Sequence, residues 1–133
     1  MIGLDTNVLV RYFAQDDPAQ ARIAGEVIDA LTEASPGYVS LVTLSELVWV
    51  LKSSYSSPPN ELLDIVAGLL TSQEIRLQEA DVVRKAMGMA RSSRIDFPDA
   101  LVCQLGLDAG CTSTVTFDRK ASAAEGMDLL TGS

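Results

Sequence analysis

The 133-residue chain contains no histidine. That absence removes the usual general base near neutral pH and every Ser-His-Asp or Cys-His arrangement, and it argues against a zinc site. Cysteine is scarce: Cys103 and Cys111 are too few for a disulfide framework and lack CxxC spacing, so both are read as reduced, packed thiols. Positive charge is also short. Ten Lys+Arg against eighteen Asp+Glu leave a net charge of −8, which argues against a general polyanion binder. No apolar run approaches the ~18 residues needed to span a bilayer, and no charged-then-apolar leader opens the chain, so a cytoplasmic protein without membrane contact is expected. If the chain is an enzyme, carboxylates or a metal must do its chemistry.

What the chain does have is apolar material: 47% hydrophobic residues and a mean hydropathy of +0.20 suffice for one compact domain over residues 1–133. MIGL, GYVSL, EIRLQ, CTSTVTF and MDLL are short apolar or β-branched segments, separated by stretches with apolar residues at helical spacing. That alternation predicts an α/β fold with a largely parallel sheet. Asp17-Pro18 with Gln20 signals a helix start, and that helix is expected to run to about Ser35-Pro36-Gly37. Thr43 to Glu46 reads as a capping box before LVWVL, with a stop near SSYSSPPN. Helices over Asn60 to Ser72, Glu79 to Arg94 and Phe97 to Ala109 complete the pattern.

Most acids stand where a solvated helix would show them, but Asp5, Glu46, Asp96, Asp99 and Asp118 do not. Each is flanked by apolar residues at or near a strand–helix boundary. Every one of these positions is also a good capping position, and capping is the plainer explanation of any single one. Taken together they point elsewhere. Ser, Thr or Asn would cap equally well, and burying several like charges costs several kcal/mol unless they are neutralised. Ligands of open parallel sheets collect outside the carboxyl ends of the strands, and Asp5 and Asp118 both terminate strands, so the five acids can converge on one crevice. Oxygen ligands without nitrogen or sulfur select hard cations such as Mg²⁺ or Mn²⁺. Such ions activate water and steady an in-line phosphoryl displacement, so phosphodiester hydrolysis is the reaction class favoured.

In LDTN at 4–7, SELVWVL at 45–51, DFPDALV at 96–102 and TFDRK at 116–120, the chain resembles PIN-domain ribonucleases, and more narrowly the VapC-type toxins of VapBC toxin–antitoxin pairs. The resemblance spans nearly the whole length. It implies a three-layer α/β/α domain with a central, mainly parallel sheet of about five strands. It also implies a metal-dependent endoribonuclease in which Asp5, Glu46, Asp99 and Asp118 hold Mg²⁺ or Mn²⁺, with Asp96 in support. Thr6, Asn7 and Thr116 match polar positions that orient the acids or a water held by the metal. Pro98 stands where many relatives carry a small residue, and a proline in the first turn of a helix is compatible with helix geometry.

The resemblance further implies a homodimer and an antitoxin that inserts a peptide into the acidic groove, where an arginine would pair with the carboxylates. Leu47, Val48, Trp49, Val50 and Leu51 serve equally as a dimer face or as a helix buried all round. RNA must approach a protein of charge −8, and Arg11, Lys52, Arg91, Arg94, Arg119 and Lys120 lie near the acidic motifs in sequence. They could form a phosphate-binding rim, with Arg119 and Lys120 the best pair. The competing readings are a free-standing PIN-domain RNA-processing nuclease and a PIN-like module that binds RNA or protein without cutting. An aspartyl-phosphate hydrolase wants a second acid two residues after Asp5, where Asn7 stands. A receiver domain lacks its acidic pair.

Overall fold

The computed structural model describes residues 1–131. The chain gathers into two compact units, Met1–Ala80 and Asp81–Ser133.

In the first unit, β1 (Ile2–Gly3), β2 (Gly37–Val39) and β3 (Ile75–Leu77) form a parallel sheet in the order β1-β2-β3, with Gly37 opposite both Ile2 and Ile75. Parallel neighbours require long crossovers. Helices α1 (Thr6–Ala14) and α2 (Pro18–Asp29) carry the chain from β1 to β2, while α3 (Leu41–Tyr55) and α4 (Pro59–Thr71) carry it from β2 to β3. Leu9, Val39, Leu44, Leu47, Val48, Leu51 and Val66 are buried. Gly37 packs closely. A Cβ there would lie 2.8 Å from Leu4 Cδ1 and 2.9 Å from Leu31 Cδ1, so any larger residue makes both leucine side chains shift from over the strand.

Helix α2 starts as its sequence signals. Asp17 accepts from the Gln20 amide and Pro18 occupies the first turn. It stops at Asp29, earlier than the expected Ser35 to Gly37. Leu31 N–H turns back to the Ile28 carbonyl, and Thr32 Oγ1 accepts from the Ser35 amide, which commits 32–35 to a local turn. The capping box expected at Thr43 to Glu46 is also corrected. Ser40 is the N-cap, its Oγ accepting from the Thr43 amide, so α3 begins two residues after the strand and Glu46 lies inside the helix. Ser terminates β2 and caps α3 in one step, a signal equal in strength to Thr43 but closer to the strand. Pro58 and Pro59 end the loop after α3 and open α4.

The second unit contains α5 (Ala80–Ser93), α6 (Phe97–Asp108), β4 (Thr114–Thr116), a 3₁₀ turn (Ala121–Ala123) and β5 (Met127–Leu129). β4 and β5 pair in parallel, Thr114 opposite Met127. Val83, Ala86, Met87 and Ala90 make the buried stripe of α5, and Ala100, Leu101 and Cys103 that of α6. Cys111 departs from expectation. It is exposed in the turn after α6, just past Gly110 at φ 98°, so only Cys103 is a packed thiol.

All five anticipated strand segments contain a strand, and every pairing is parallel, in sets of three and two. Among the described residues, no helix is long and apolar enough to cross a membrane.

Candidate active site

In the first unit the carboxyl end of β1 delivers Asp5 to the start of α1. Asp5 is the N-cap, its Oδ1 accepting from the Thr6 amide at 2.8 Å. The capping explanation is therefore correct for this residue, and the cap leaves Oδ2 without a hydrogen bond among the described residues. Thr6 is buried and Asn7 exposed. Glu46 projects from the second turn of α3, which packs on α1. Asp5, Thr6, Asn7, Glu46, Val50 and Tyr55 line one cleft of about 410 Å³, together with Arg11.

Arg11 is held in place from three directions. Its Nε donates to Gln20 Oε1 at 2.7 Å, and Nη1 donates to Asp16 Oδ1 at 3.1 Å and to the Tyr55 hydroxyl at 3.4 Å. Tyr55 in turn donates to Asp16 Oδ2 at 2.6 Å. The hydrogen bond from Tyr55, with the Arg11 charge behind it, holds the Asp16 carboxyl below its ordinary range. The same bond raises the Tyr55 phenol. Desolvation works most strongly on the Arg11 guanidinium and lowers it, but the charge of Asp16 together with the hydrogen bonds to Tyr55 and Asp16 leaves the group raised. Asp16 and Tyr55 were not singled out by the sequence, and Gln20 only as part of a helix-start signal. Tyr55 is 44 residues from Arg11 in the chain, and no local spacing reports such a contact.

The second unit arranges its acids around a lysine. Asp96 occupies the N-cap of α6 without a side-chain capping bond, and its Oδ1 instead accepts from Lys120 Nζ at 2.9 Å. Asp99 follows in the first turn. Asp118 accepts from the Lys120 and Ala121 amides through Oδ1, at 2.9 and 3.2 Å, and so caps the 3₁₀ turn. Thr116 Oγ1 accepts from the Asp118 amide at 3.0 Å, which fixes the backbone that presents this carboxylate. The Lys120 ammonium is raised above its ordinary value, first by the hydrogen bond to Asp96 and then, against partial desolvation, by the charges of Asp96, Asp99 and Asp118. These three acids thus act together on a single cation. Arg94 and Arg119 are exposed, Arg94 in a left-handed turn at φ 55° directly after α5.

The expectation that the acids are buried is overturned. Asp5, Glu46 and Asp118 are exposed, while Asp96 and Asp99 are half-buried. The apolar neighbours that suggested burial turn inward themselves: Leu4 is 5% exposed beside Asp5, and Leu47 is 0% exposed beside Glu46. A one-residue step in strand or helix carries the acid out to the cleft. Solvent therefore relieves Asp5, Glu46 and Asp118, while Asp96 is paired with Lys120.

Chemically, the two sets offer only oxygen donors, which suit hard divalent cations. Within neither unit do three such side chains stand together as a formed metal-binding group, among the described residues. No curated protein matches the chain. The sequence does match the PIN domain family over residues 2–126, a stretch that takes in every acid named above. The chain belongs to the PIN domain family.

Proposed function

We propose that this protein is a metal-dependent endoribonuclease that hydrolyses RNA phosphodiester bonds, and that it is the toxin of a type II toxin–antitoxin pair. PIN domains are nuclease-type folds that in general act on RNA and typically use divalent metal ions. The observation that carries the reading is the shared cleft of Asp5 and Glu46, two carboxylates with Thr6 and Asn7 beside them, in a chain without histidine.

The donor set fits Mg²⁺ or Mn²⁺. It is all oxygen, the cleft is open to solvent, and the Lys120 ammonium among Asp96, Asp99 and Asp118 is a cation drawn by the same charges. In the first unit Asp5 and Glu46, and in the second Asp99 and Asp118 with Asp96 in support, would serve as metal-holding carboxylates. A divalent ion so held supplies activation of water and neutralisation of the phosphate charge. The protein's own contribution is positional. The α1 cap fixes the Asp5 carboxylate, packing of α1 on α3 brings Glu46 to the same cleft, and Thr116 fixes Asp118. Arg11, Arg94, Arg119 and Lys120 supply the contacts to RNA phosphates.

The toxin assignment rests on the four ordered motifs. On this reading the protein acts in the cytoplasm as a homodimer, held inactive by an antitoxin whose arginine pairs with the cleft carboxylates. Val42 at 78% and Trp49 at 61% exposure on α3 provide apolar surface for a second copy, while Leu47, Val48 and Leu51 of the same run serve the core.

The test is incubation of the purified protein with total RNA and Mg²⁺ or Mn²⁺, beside EDTA and the Asp5→Asn and Asp99→Asn variants. Metal-dependent cleavage by the wild type, lowered at least about 100-fold in either variant, is expected. Equal cleavage by wild type and variants, or none by the wild type, would refute the nuclease reading.

A further inference from the structure

The guanidinium of Arg11 has five N–H donors. Nε–H is committed to Gln20, and the Nη1 protons to Asp16 and Tyr55. Nη2 makes no hydrogen bond among the described residues, so two donors remain on a group whose plane is fixed from its other side. Arg11 lies in α1, and its partners come from elsewhere: Asp16 from the connection into α2, Gln20 from the first turn of α2, and Tyr55 from the last residue of α3. Both α1 and α3 end beside this network on non-glycine residues in the left-handed region, Gln15 at φ 58° and Ser56 at φ 53°. Such turns are costly for residues with a Cβ, and the one at Gln15 leads the chain directly into Asp16, while Tyr55 reaches the cleft wall from the end of α3. A surface ion pair for stability alone needs neither the third partner nor a place in the cleft wall.

Arg11 carries the positive charge of that wall, which otherwise holds the carboxylates of Asp5 and Glu46. A phosphodiester entering the cleft meets like charge from both acids, and a guanidinium held in one plane with both Nη2 protons unspent is the group suited to donate to its oxygens. We infer that Arg11 is a pre-oriented phosphate-binding residue of the cleft, and that Asp16, Tyr55 and Gln20 are its positioning residues. The inference rests on the nuclease reading above and adds to it the residues that set substrate affinity.

The experiment uses the full chain and a single-stranded RNA oligonucleotide. Binding is measured in EDTA over a salt series, and steady-state cleavage separately with Mg²⁺. Arg11→Ala should weaken binding roughly tenfold and flatten the slope of log affinity against log salt by about 0.7, the signature of one lost phosphate contact on a single strand. Arg11→Lys should keep the slope but lose several-fold in affinity, because an ammonium cannot be held in one plane by Gln20, Asp16 and Tyr55 while donating to the phosphate. Tyr55→Phe and Asp16→Asn should raise KM several-fold with a smaller effect on kcat. Arg22→Ala is the charge control, since Arg22 is exposed and paired with Glu26 on α2. It should leave affinity and slope as in the wild type.

If the wild type binds and cleaves RNA while Arg11→Ala keeps its affinity and slope, the inference fails and the nuclease reading stands. Parallel loss of kcat and melting temperature in Tyr55→Phe, with KM unchanged, would show a purely structural network and also overturn it. A wild type that neither binds nor cleaves refutes both.

Discussion

Replacing Gly37 by alanine tests how closely the sheet beneath Asp5 is packed. The added Cβ would sit 2.8 Å from Leu4 Cδ1, 2.9 Å from Leu31 Cδ1 and 3.2 Å from Leu4 Cγ. Carbon atoms in comfortable contact stand about 3.5–4.0 Å apart, so two leucines must retreat by roughly 0.7 Å or more. Both are buried, Leu4 at 5% and Leu31 at 8% exposure, so each must shift within the core rather than out to solvent. Overpacking of this kind costs about 1–3 kcal/mol, offset by roughly 0.4–1 kcal/mol from the stiffer unfolded chain. The net expectation is destabilisation by about 1–2 kcal/mol, read as a lower urea midpoint with an unchanged slope. A double-mutant cycle isolates the cause. Leu31→Ala alone opens a cavity and should cost about 2–4 kcal/mol, yet combined with Gly37→Ala the new methyl occupies part of that cavity. The pair should therefore be more stable than the sum of the singles by on the order of 1 kcal/mol. A neutral Gly37→Ala, or strictly additive costs, would refute the packing argument. Because Leu4 directly precedes Asp5, the same shift should also lower activity at unchanged folding.

Asp16 supports a pH prediction. Its folded carboxyl lies below the ordinary value of 3.8, so the stability it contributes is fully present above that value and is lost as pH falls through the folded one. The stability difference between wild type and Asp16→Asn should be constant from neutrality to about pH 4 and shrink in stronger acid. A difference undiminished at pH 2 would sink the assignment. The two thiols should separate by accessibility. Burial raises the Cys103 thiol while Cys111 is exposed, so Ellman's reagent should find one reactive thiol in the native protein and two in guanidinium chloride. Rapid native reaction of both would contradict the burial.

Much of the architecture was readable because it is local. Alternation of β-branched segments with helical periodicity located all five strands, and Asp17-Pro18-Gln20 located the start of α2 to the residue. Where two local signals competed, sequence could not arbitrate. Ser40 and Thr43 are both good caps, and the end of β2 at Val39 decided for Ser40. The candidate acids were found through residue type and position. Their exposure was misjudged because flanking apolar residues report the burial of those neighbours, not of the acid between them. The network around Arg11 left no trace, since it depends on where the last turn of α3 falls against α1, a tertiary fact with no local signature.

Asp5 and Asp118 share a division of labour between their two oxygens. In each, Oδ1 is tied to backbone amides, and Oδ2 makes no hydrogen bond among the described residues. An asparagine can keep the amide-bound oxygen as its carbonyl and turn a neutral NH₂ outward, whereas alanine removes both. The choice of substitution thus decides what is measured. Asparagine reports on charge with the helix start or turn intact, and alanine confounds that with an unravelled cap, so a comparison of the two at each position separates the fold's claim on the residue from the ligand's.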